Sequence, residues 1–167
     1  MQTGIKNHAV RHQDSKGRQR TVQHPAESQM EHASMLKPYT ETIAYPRQDP
    51  EIVRTDVLEP IDYTYHAKRG IDIVIRQPEY TSICPMTGLP DLGCITISYR
   101  PAAKIIELKS LKYYLLQYRN VGIFYEHLVN RILDDLVAVL KPERMEVTGE
   151  FTARGGITSK VVAIYAK

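Results

Sequence analysis

Apolar and polar positions recur at two distinct periods along the second two thirds of the chain. Ile71, Ile73 and Ile75 alternate with Asp72, Val74 and Arg76, the period of two of a half-buried strand. Ile95, Ile97 and Tyr99 alternate with Thr96, Ser98 and Arg100 in the same way, and Pro101 ends that strand. Between them, PEYTSICPMTGLPDLG holds three prolines and two glycines, which predicts a long loop joining an antiparallel pair.

The period then lengthens. Residues 104–108 read as a short extended piece. Residues 109–118 read as a helix with Leu111, Tyr114 and Leu115 on one face, broken by Asn120 and Gly122. Leu128, Ile132, Leu136 and Leu140 recur every four residues beside Val129, Leu133 and Val137, predicting a helix over 124–140 that Lys141-Pro142 stops. Met145, Val147 and Gly149 return to alternation, and residues 160–166 are β-rich. Gly155-Gly156 gives the freedom a tight connection between these two strands needs. The order β-β-α-α-β-β predicts an α+β fold: a four-stranded antiparallel sheet with two helices on one face, its open edges covered by other subunits.

Residues 1–50 break this regularity. They hold four of the six histidines (His8, His12, His24, His32) and four of the ten prolines, with no sustained period. They predict a mobile extension, residues 1–55, ahead of a folded domain at 56–167. The stretch MLKPYTETIAYP within it reads as a packing arm. The histidines lack metal-ligand spacing, so the extension reads as a solvated tail and no metal is expected.

Composition narrows the function classes. Hydrophobic residues make up 43% and charged residues 25% of the 167, a soluble globular mix. Apolar runs stop at five or six residues, so neither a membrane span nor a membrane partner is expected, and the N-terminus lacks the pattern of a secretory signal. A net charge of +3 suits an anionic ligand and gives no reason to expect nucleic acid. Two cysteines make no disulfide scaffold and point to a cytoplasmic protein with reduced thiols. No Rossmann turn, Walker loop or zinc motif is present.

Four places could carry chemistry. Cys84, in the Pro/Gly-rich loop with Asp91 seven residues on, reads either as a nucleophile beside an acid or base, or as a loop cysteine packed like a small hydrophobe. Cys94 reads as structural. In ELKSLKYY, Ser110 reads as a helix cap. Lys109 and Lys112 read as a phosphate cradle at a helix N-terminus or as a solvated basic face. Glu126 either answers the helix dipole or accepts two adjacent N–H groups of a guanine-like edge. Arg154 grips a phosphate or is an exposed turn residue.

The runs TSICPMTGLPD, ELKSLKYY, YRNVGIFYEH and GEFTARGGI, across roughly residues 70–160, resemble the NADPH-dependent 7-cyano-7-deazaguanine reductases. These are queuosine-pathway nitrile reductases of the tunnelling-fold superfamily, whose unit has the same β-β-α-α-β-β order. The resemblance implies that Cys84 attacks the nitrile carbon to form a thioimide and that Asp91 moves the protons. It further implies that Tyr125 and Glu126, with Ile106, Glu107 and Leu108, bind the substrate, and that Lys109, Lys112 and Arg154 bind NADPH phosphates. Tyr125 stands where many members have histidine, so a tyrosine would stack on the base or donate a hydrogen bond there. The resemblance also implies a homo-oligomer with sites between subunits. Two other readings remain: an amidinotransferase relative acting on the nitrile base in tRNA, and a tunnelling-fold module that binds a purine or pterin without catalysis.

Overall fold

The computed structural model describes residues 47–167 and the backbone of two short strands ahead of them. The chain divides into two units, Met1–Ala44 and Tyr45–Lys167. In the first, β1 (Arg11–Gln13) pairs antiparallel with β2 (Gln19–Thr21). Three-residue strands need no apolar period to close a backbone ladder, so the sequence pattern gave no sign of them. The stretch read as an arm lies outside the described residues.

Residues 47–55, read as extension, belong to the second unit. Gln48 bridges Val121, the 3-10 turn Pro50–Ile52 is capped by Asp49, and Val53 is buried in the core. The folded unit therefore begins about ten residues earlier than the composition shift suggests.

That unit holds β3 (Pro60–Asp62), β4 (Ile73–Ile83), β5 (Pro90–Arg100), β6 (Lys104–Ile106), α1 (Leu108–Leu116), α2 (Tyr125–Leu140), β7 (Arg144–Arg154) and β8 (Ile157–Ala166). The main sheet is antiparallel in the order β4-β5-β7-β8, and β3 pairs with β6 beside it. The expected α+β arrangement stands: four long strands and two helices in the order β-β-α-α-β-β.

The sheet's helix-facing side carries Ile95, Ile97, Tyr99, Met145 and Val147, all essentially fully buried. Against it α2 lays Leu128, Val129, Ile132, Leu133, Leu136 and Leu140, each contributing about 1.5–3 kcal/mol by leaving water. Lys141 ends α2 in the left-handed region, φ 49°, and Pro142 prevents its resumption. The two helices are tied by a half-buried polar knot: Tyr114 Oη donates to Asp135 at 2.6 Å and Arg131 Nε to the same carboxylate at 3.0 Å.

Two expectations are corrected. The predicted long loop between the first strands shrinks to residues 84–89, because β4 runs on through Pro78 by means of a β-bulge between Gln77 and Tyr80. Proline cannot donate to the ladder, and the bulge accommodates it. The bulge also re-phases the strand. Ile73 and Ile75 face the helices before it, and Tyr80 and Ser82 do so after it. The second correction is the cap of α1, which is Glu107 and not Ser110. The helix starts at Leu108, so Ser110 is its third residue; its hydroxyl donates to the Glu107 carbonyl and accepts from Glu59 N.

Candidate active site

Strand register brings the loop cysteine and its acid together. Ile83 is the last residue of β4, Pro90 opposite it is the first of β5, and the six-residue turn between them starts at Cys84. Cys84 N donates to Leu89 O at 2.9 Å and Gly88 N to Cys84 O at 2.8 Å, closing the turn. Gly88 has φ 70°, a conformation that glycine adopts without strain. The segment after α1 clamps the end of β4 through Ile83 N to Val121 O and Ile123 N to Ile83 O, and the Arg47 guanidinium donates to the Pro85 carbonyl.

Cys84, Pro85 and Asp91 form one wall of a cavity of about 220 Å³; Ile123, Phe124, Tyr125 and Arg154 complete it. That is below the roughly 300 Å³ at which clefts for larger ligands begin, so it suits a single heterocycle better than a dinucleotide. Asp91 is only 3% exposed; its Oδ1 accepts from Tyr125 Oη at 2.5 Å and is ion-paired with Arg154 Nη2 at 2.5 Å. Arg154 reaches it because Gly155 (φ 56°) and Gly156 (φ 83°) make the tight β7–β8 turn, with the guanidinium also donating to Pro90 O at 2.5 Å.

Two groups in this site are tuned. Burial opposes ionisation of the Cys84 thiol. Hydrogen bonds from the Thr87 hydroxyl and the backbone of Thr87 and Met86 outweigh burial and the nearby Asp91 charge, and hold the thiol below its ordinary value. Burial, then the hydrogen bond and charge of Asp91, push the Tyr125 phenol up to about 12, so it stays a donor. Its ring stacks on Phe151, centroids 3.6 Å apart.

Of the residues singled out from the sequence, Cys84, Asp91, Tyr125 and Arg154 converge here. The others do not line this cavity. Ile106 is in the core, its N–H donating to Tyr99 Oη. Glu107 accepts from Lys109 N and Ser110 N, so the helix N-terminus offered as a phosphate cradle is already filled by a carboxylate. Leu108, Lys109, Lys112 and Glu126 are exposed, and neither lysine joins an ion pair among the described residues. Cys94 is half-buried on the other face of β5, 3.8 Å from Arg76 Nη2.

Thr87 and Phe151 were missed. The spacing of Thr87, three residues after Cys84 in a Pro/Gly turn, was a usable signal. Phe151 had none, because only the β5–β7 register places it.

The QueF-like protein family model matches residues 90–167. The NADPH-dependent 7-cyano-7-deazaguanine reductase of Caldicellulosiruptor bescii is 58% identical over 117 residues, 70% of this chain and 88% of that one. The protein of the same name from Chlorobaculum tepidum is 55% identical over 112 residues, 67% of this chain and 95% of that one. Among solved structures, the archaeosine synthase QueF-Like in its apo form superposes with a TM-score of 0.52 at 22% identity, covering 59% of this chain and 94% of that one, a likeness of fold alone. With more than half of the aligned residues identical across most of the length of such relatives, the chain belongs to the family of NADPH-dependent 7-cyano-7-deazaguanine reductases.

Proposed function

We propose that this chain reduces 7-cyano-7-deazaguanine to 7-aminomethyl-7-deazaguanine in the cytoplasm, for tRNA queuosine synthesis, with Cys84 as nucleophile and Asp91 as proton carrier. The observation that carries the reading is the shared cavity: a thiol held below its ordinary value beside a buried carboxylate that two donors fix in place.

The thiolate of Cys84 adds to the nitrile carbon, one C–N π bond passes its electrons to nitrogen, and Asp91 delivers the proton taken from the thiol, leaving a thioimide. NADPH, when bound, supplies the hydrides, two for each nitrile carried to the amine. After the carbon is first reduced, collapse of the thiohemiaminal expels the Cys84 thiolate and gives the imine that the second reduction consumes. A thiolate leaves readily where a serine alkoxide would not, which suits cysteine to a bond that must form and break in each cycle.

Lys109, Lys112 and Arg154 fit the charge of NADPH phosphates. Because the lysines and the substrate residues Ile106, Glu107, Leu108 and Glu126 lie off this cavity, we assign the complete site to a homo-oligomer in which neighbouring copies contribute. The edge strands β4 and β8, unpaired among the described residues, and the exposed Val74, Leu92, Val162 and Ile164 support such association.

NADPH oxidation on adding the free nitrile base tests the activity. Mass spectrometry should show a covalent adduct on wild type and none on Cys84→Ala. Adduct formation without NADPH consumption would favour the amidinotransferase reading; base binding with neither would favour a non-catalytic module.

A further inference from the structure

Behind Asp91 lie two hydroxyls for which the reaction as described has no use. Ser82 is directly opposite Asp91 in the β4–β5 register, which puts their Cβ atoms about 4.5–5.5 Å apart on the same face. Ser82 is 0% exposed and Tyr80, two residues earlier on that face, is 2% exposed. Among the described residues, neither Ser82 Oγ nor Tyr80 Oη has a hydrogen-bond partner of normal geometry. Burial keeps the Tyr80 phenol far above its ordinary value, and Ser82, Tyr118, Asp91 and Tyr125 are all close enough to influence it. Both Tyr125 and Arg154 meet Asp91 at Oδ1, and no hydrogen bond among the described residues reaches Oδ2. Leaving a buried hydroxyl unsatisfied is costly, so two of them beside a half-satisfied carboxylate point to a role. The bulge at Gln77–Tyr80 is what turns them toward Asp91.

We infer that Ser82, backed by Tyr80, is a positioning residue whose hydroxyl hydrogen-bonds to Asp91 Oδ2 as that carboxyl gains and loses its proton. Arg154 can only donate and therefore favours the anion. A hydroxyl donates to the carboxylate and accepts from the carboxylic acid, so it supports both states of a group that must cycle between them. The inference rests on the reductase reading.

The test compares Ser82→Ala, Ser82→Thr and Tyr80→Phe with wild type. Ser82→Ala should lower kcat about tenfold with KM changed less than about twofold, and Ser82→Thr should recover most of it. A structural role would give the opposite ranking, since an added methyl in a packed site is worse than a deleted hydroxyl. Tyr80→Phe should fall between wild type and Ser82→Ala, and it stands in for Ser82→Ala should that variant misfold. In ligand-free protein, the Asp91 carboxylate infrared band, identified by its loss in Asp91→Asn, should move in Ser82→Ala and return in Ser82→Thr. An unmoved band together with wild-type kcat in Ser82→Ala would overturn the inference. Wild type that leaves NADPH unoxidised would sink the reductase reading instead, while the infrared shift would still decide the Ser82–Asp91 contact.

Discussion

The ring of Tyr125 lies flat on that of Phe151, with 3.6 Å between centroids and 6° between planes. The stack fixes the plane of the phenol, and the phenol in turn reaches Asp91 Oδ1 at 2.5 Å. A residue at the start of α2 and one near the end of β7 thus aim a single hydrogen bond at the carboxyl on β5.

Tyr125→Phe keeps the stack and removes that bond. Losing a hydrogen bond worth about 1.4 kcal/mol should lower kcat about tenfold while KM changes less than about twofold. Steady-state NADPH oxidation measures this, and a kcat equal to wild type would show that the contact does not assist catalysis.

Cys84 should react with iodoacetamide along a pH curve whose midpoint lies below that of a free cysteine under the same conditions, because its thiol is depressed and the thiolate persists to lower pH. Thr87→Val removes the side-chain hydrogen bond and should move that midpoint upward. A curve for Thr87→Val that overlays wild type would refute the assigned cause.

Glu107 links pH to stability. The N–H groups of Lys109 and Ser110 hold its carboxyl below the ordinary carboxylate range. With the folded value below the unfolded one, the stabilisation is fully present above the unfolded value, about 4.3, and is lost as pH falls through the folded value. Glu107→Ala should therefore lower Tm at neutral pH, and its gap to wild type should close in acid. A gap that stays constant down to the acid limit would count against the cap.

Gly149 has no room for a side chain: a Cβ there would sit 2.8 Å from the Phe151 ring and 2.9 Å from Val129 Cγ2. Gly149→Ala should cost about 1–3 kcal/mol by chemical denaturation and reduce activity by displacing the ring on which Tyr125 stacks. Gly93→Ala should be worse, since its Cβ would meet the backbone carbonyl of Glu150 at 2.6 Å, which no side-chain rotation relieves. Equal losses in the two variants would argue against this distinction.

The sequence by itself determined the long strands, the two helices and the candidate pair. Apolar spacing alone marks α2 and the strands, because burying one face of a helix or strand demands that spacing wherever the element sits. The TSICPMTGLPD run named Cys84 and Asp91. Tertiary structure decided the rest. Pro78 reads as a strand terminator until a bulge across from β5 absorbs it, and that bulge alone turns Tyr80 and Ser82 toward Asp91. That Glu107 caps α1 shows only once the helix start is fixed at Leu108. Arg154 and Tyr125 are 63 and 34 residues from Asp91 in the chain, and no local pattern can show that both donate to one oxygen. Periodicity records what each residue does with its neighbours along the chain; a carboxylate shared by distant partners depends on strand register and helix placement, which only the packed sheet fixes.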